Sequence, residues 1–138
     1  MRFLMMVKHG ENPGVPPKAL MEAMDKLVEG EVKSGSMIST GGLAPTAQST
    51  RVRVAKGKLT VTDGPFTEAK EIIGGFAIFN LKSKEEALEK ARIFMELHRE
   101  HWPEFEGETE IRQIFGPEEF ATHEDFAKHL EVLSTKAS

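Results

Sequence analysis

The chain has 138 residues, 39% of them hydrophobic and 29% charged, with a net charge of −4; this is one ordinary globular domain with a modest core. The acidic balance argues against nucleic acid as the main partner, because phosphate binding wants a basic face, and no run of about 18 apolar residues is present to cross a membrane. Cysteine is absent, which excludes disulfides, thiolate nucleophiles and cysteine-ligated zinc.

The apolar start Phe3–Val7 is cut short by Lys8-His9-Gly10, so it reads as a strand and not as a signal peptide, and cytoplasmic residence is the expectation. Being apolar on both faces, it suits a central strand. Pro16 and Pro17 then introduce a helix over Lys18–Lys33, with Leu20, Met24, Leu27 and Val28 at helical spacing. Ser36–Thr40 reads as a second strand, broken by Gly41-Gly42 and Pro45. Strict alternation in Arg51–Ala55 and Leu59–Thr62, around Lys56-Gly57-Lys58, predicts a β-hairpin. Arg51 and Arg53 face one way, on what reads as a solvated side. Asp63-Gly64-Pro65 is turn chemistry, and a polar excursion leads to the strand Gly75–Leu81. Ser83 with Glu86 forms a capping box for a helix carrying Ala87, Leu88, Ala91, Phe94, Met95 and His98. Pro103 forbids its continuation, so His98–Gly107 is expected to be irregular. Thr109–Phe115 alternates as a last strand, and Glu118–Leu133 carries Phe120, Phe126, Leu130 and Leu133 as an amphipathic helix.

With the hairpin set aside, the order is βαββαβ, a ferredoxin-like α+β plan with a hairpin insertion. Two helices cover one face of an antiparallel sheet and leave the other bare and apolar. A second copy closing on that face, as a dimeric α/β barrel, is the expected homodimer.

The run Thr62-Asp-Gly-Pro-Phe-Thr-Glu-Ala-Lys-Glu71, followed by Gly75-Phe76, resembles the signature of the DGPF-domain proteins, a branch of the YCII-related superfamily. The resemblance extends to Arg51-Val-Arg-Val upstream and to Ser83–Ala87 and Glu110–Arg112 downstream. It covers residues 1–116, with 117–138 as a helical extension. It implies a dimeric barrel of ferredoxin-like subunits and little about activity. The superfamily is associated with a His–Asp pair, but the helix-one histidine has no match in Lys18–Met21.

Asp63 is the first candidate, either as a general base at a cleft or as an Asx-turn acceptor within its own turn. Lys70 could hold an anion and His9 could carry a proton, and both read equally as surface groups. Phe66, Glu71 and Gly75 are the accompanying ligand-binding candidates. Gly74 and Gly75 also fit a bulge. His98 and His101 are spaced for zinc, but Pro103 breaks their helix and no standard motif is present, so neither metal nor cofactor is expected. Trp102 with Phe105 reads as a core plug or a lid. Two functions follow: a small-molecule enzyme using acid–base chemistry near Asp63, or a non-catalytic ligand-binding or regulatory homodimer.

Overall fold

The computed structural model describes residues 1–66, 70–117, 128, 131 and 132. Strand β1 (Arg2–His9) lies inside the main sheet, flanked by two antiparallel neighbours. Its apolar residues on both faces are what a strand in that position requires. Helix α1 (Lys18–Ser34) follows Pro16-Pro17 and ends at Gly35, whose N–H reaches the Val32 carbonyl at 3.1 Å. Strand β2 (Met37–Gly42) comes next, then a 3₁₀ turn over Thr46–Gln48. Strands β3 (Thr50–Ala55) and β4 (Lys58–Asp63) form the expected hairpin. Strand β5 (Ile72–Asn80), helix α2 (Lys84–His101) and strand β6 (Gly107–Ile114) complete the described chain.

The main sheet has four antiparallel strands in the order β2-β5-β1-β6, and β3-β4 is a separate two-stranded ribbon. The fold is α+β, and with the ribbon set aside its strand order is compatible with the ferredoxin-like plan. Phe3, Met5 and Phe79 point to the helix side and pack with Leu81, Ala87 and Ala91 as the core. Alternation turns Leu4, Met6, Phe76 and Ile78 to the opposite face.

Two boundaries differ from expectation. Helix α2 continues through His98 to His101, with Trp102 as its C-cap, because Pro103 constrains only the residue before it. Strand β5 begins at Ile72, ahead of the two glycines, because a bulge absorbs them. The register passes from Val7 opposite Gly75 to Lys8 opposite Ile73, leaving Gly74 as the extra residue. The helix expected over 118–133 falls, but for three residues, outside the described residues.

Candidate functional site

The core stops short of filling the space between helices and sheet. Of α1, only Leu20 is fully buried. Beneath its middle lies a cavity of about 560 Å³, a size usual for small-molecule sites. Met24 and Val28 from α1, Met5 and Val7 from β1, and Ile93 and Phe94 from α2 give it largely apolar walls. Glu31 and Lys90 also line it, and they bridge the two helices at 2.7 Å. Burial pushes the Glu31 carboxyl up, but hydrogen bonds from Lys90 and Ser36 outweigh this and hold it below its ordinary value.

His9 and His98 line the same cavity. The His9 Nδ1 lies 2.6 Å from the Gly10 carbonyl oxygen, and the His98 Nδ1 lies 3.0 Å from that of Phe94. A carbonyl only accepts, so in each ring Nδ1 carries the proton and donates it. In the neutral form of either ring the lone pair is then on Nε2. Burial pushes the His98 imidazole below its ordinary pKa, partly opposed by its bond to Phe94, so the ring is neutral at pH 7. Both rings contact Phe105, at 6.1 Å for His9 and 4.9 Å for His98 between centroids, and Phe105 stacks on Trp102 at 4.9 Å. The bulge sets the place of His9. A Cβ on Gly74 would fall 2.0 Å from its Nε2, so only glycine lets the imidazole lie over the strand there.

The other sequence candidates lie elsewhere. Gly75 lines the cavity; Asp63, Phe66, Lys70 and Glu71 do not. The exposed Asp63 carboxylate accepts the Thr50 hydroxyl at 2.9 Å across the ribbon's root. Gly64 donates its N–H to the Ser49 carbonyl at 2.8 Å, and a Cβ there would strike the Thr46 carbonyl oxygen at 1.6 Å. Phe66 is buried, with the Arg51 guanidinium 3.7 Å above its ring. The Asp63–Phe66 run therefore fastens the root of the ribbon. Lys70 is exposed, and Glu68 lies outside the described residues. Glu71 is on the sheet face turned from the helices. There Lys8 meets Glu110 at 3.1 Å, Glu71 at 3.2 Å and Glu108 at 3.5 Å, and the Glu110 and Glu71 carboxylates hold its ammonium well above the ordinary lysine range. Among the described residues no group of three or more metal-ligating side chains gathers.

Helical spacing puts His98 on the apolar stripe of its helix, and its spacing from His101 suits zinc but is set aside for want of a standard motif. Its 7% exposure and its tilted contact with Phe94 at 4.7 Å make it a cavity residue. The signal was the Phe94–His98 spacing of one turn. Trp102 is buried and lines the cavity with Phe105, so this pair is wall as well as plug.

An α+β domain with a cavity beneath its helices is thus the class defined by the geometry. A family model for the YCII-related domain matches residues 1–93, and the chain belongs to that family. It is also similar to an uncharacterized protein of Rhizobium meliloti (strain 1021), 38% identical over 61 residues, which are 44% of this chain and 49% of that one. The matched region spans about half the length of that relative. Among the described residues no helix is long and apolar enough to cross a membrane.

Proposed function

We propose that this chain binds a small, mostly apolar organic molecule in the cavity between helices and sheet and moves a proton on it, with His9 Nε2 as the base. The observation that carries this reading is the pair of imidazoles at the cavity wall, each with Nδ1 committed to a backbone carbonyl. A neutral imidazole oriented in this way accepts a proton at Nε2 and returns it. The walls suit a compound of one or two rings, and the Nε2 lone pairs suit a hydroxyl or an acidic C–H next to a carbonyl. The resemblance to the DGPF-domain branch is kept here for the ribbon root and not for the site, since Asp63 is spent on Thr50.

A thermal-shift screen of phenols, enols and small ketones tests binding, and solvent-deuterium exchange into a bound hit, followed by NMR, tests proton transfer. The expected result is a hit that exchanges in wild type, whereas His9→Asn still binds it but exchanges at least about 100-fold more slowly. Exchange that persists in the variant rules out His9 as the base. Binding with no exchange in wild type supports the second reading, a non-catalytic ligand sensor. The Lys90 ammonium is tied to Glu31, which favours that reading, because it is then not at hand to protonate a ligand opposite the base.

We also propose a second copy across the sheet face turned from the helices, forming the dimeric barrel. Leu4, Met6, Phe76 and Ile78 give that face its apolar character; Met6 is already buried and the other three are part-buried in the single chain, although neither α1 nor α2 lies on that side.

A further inference from the structure

Among the described residues, the strands of the β3-β4 ribbon pair only with each other. Alternation puts Val52, Val54, Leu59 and Val61 on one face, with Val52 opposite Val61 and Val54 opposite Leu59. All four are 68–70% exposed. Single exposed apolar residues are ordinary, but two facing pairs on one ribbon are a patch on the order of 450 Å², the size at which exposed patches tend to be functional. A free two-stranded ribbon is also marginal in water. Yet this one is aimed: Asp63 holds Thr50, Gly64 packs on the Thr46 carbonyl and Arg51 covers Phe66. The fold directs outward a ribbon whose apolar face touches little of its own chain.

We infer that the ribbon is an arm that grips a second copy of this chain. Charge points to that occupant. Arg51 covers Phe66, but Arg53 and Lys58 stand on the ribbon face opposite the valines and Lys56 at its tip, in a chain of net charge −4, so the rest of each copy is net acidic. Glu71 and Glu108 lie at 43% and 59% exposure on the face where the second copy is placed. Area agrees. Two arms, each covering an equal surface on the other copy, bury on the order of 1,800 Å², within the range of stable dimers. The inference takes its partner from the homodimer proposed above and adds the contact that holds it.

The test is Val54→Glu with Leu59→Glu in the full chain. Both side chains are about 69% exposed within one chain, so circular dichroism is expected to be unchanged, as is urea unfolding at a concentration low enough that both proteins are monomeric. Sedimentation equilibrium at about 1–100 µM is expected to show a wild-type dimer and a variant whose dissociation constant is raised at least about 100-fold. The chain has no cysteine, so Leu59→Cys places one benzophenone maleimide on the arm. Irradiating mixed isotope-heavy and light chains is expected to join heavy to light. A monomeric wild type overturns the inference, as does a double variant that dimerises like wild type. So do cross-links confined to one chain, the mark of an arm lying on its own C-terminal segment, and a wild-type monomer that binds anionic vesicles. The double variant that still dimerises leaves the sheet-to-sheet dimer standing, so the two readings fail separately.

Discussion

Gly74 and His9 act as one unit. The bulge makes room at Gly74, and the imidazole takes that room with Nε2 2.0 Å from where a Cβ would be. Gly74→Ala therefore displaces the ring and breaks its Nδ1 bond to Gly10. The expected cost is about 1–3 kcal/mol in urea unfolding, with cavity-ligand affinity lowered at least about tenfold in a titration. Gly30→Ala is the control. A Cβ at Gly30, within α1, meets nothing within 4 Å, so the same change there is expected to stabilise by about 0.5–1 kcal/mol. His98 gives a pH signature. Its folded pKa is depressed below about 6.5 by burial, so the unfolded chain takes up its proton first as pH falls. Stability is full above pH 6.5, declines as pH drops toward the depressed value and is then flat for this group. His98→Phe keeps the ring contacts and is expected to remove that decline when urea midpoints are compared over pH 5–8. The bulge could be read from the two glycines. The direction of His98 could not, because helical spacing assigns a side chain to a stripe and leaves open whether that stripe meets packed core or empty space.

Helix α2 shows what local chemistry decides. Ser83 accepts the Glu86 N–H at 3.1 Å, and Glu86 reaches back to the Lys82 N–H at 2.9 Å, one residue before the cap. Ser83→Ala is expected to cost about 1 kcal/mol in chemical denaturation. The same chemistry made this start legible from sequence, as strict alternation did the ribbon. The far end was not legible, because Pro103 bars helical geometry at the residue before it and not two residues earlier. The place of Asp63 was hidden for a related reason. Turn residues identify a turn, but which cavity the turn faces depends on how the ribbon leaves the sheet. Here it leaves at Thr50 and Asp63, and Asp63 closes the root. The helix-to-helix bridge of Glu31 and Lys90 was equally hidden, since the two stand 59 residues apart and nothing local pairs them.

The two faces of the main sheet divide the work of the whole molecule. The helix side holds the cavity, and the far side is proposed to meet a second copy. Ile78 separates these roles because it stands opposite Leu4 on β1 and Ser39 on β2, on the far side, while its neighbours Ala77 and Phe79 face the helices. In a lone chain, Ile78→Lys falls at a part-buried position from which a long ammonium side chain can reach water, at a cost smaller than full burial. In the dimer the same ammonium is buried against apolar residues with no partner, a loss of several kcal/mol for each copy. The dissociation constant measured by sedimentation is therefore expected to rise at least about 100-fold. The thermal shift produced by a cavity ligand is expected to stay as in wild type, because stabilisation by binding depends only on ligand concentration and affinity for the folded chain. If the ligand shift disappears together with the dimer, the cavity depends on the second copy and the two faces are one site. If the dimer survives Ile78→Lys, this face is not where the copies meet.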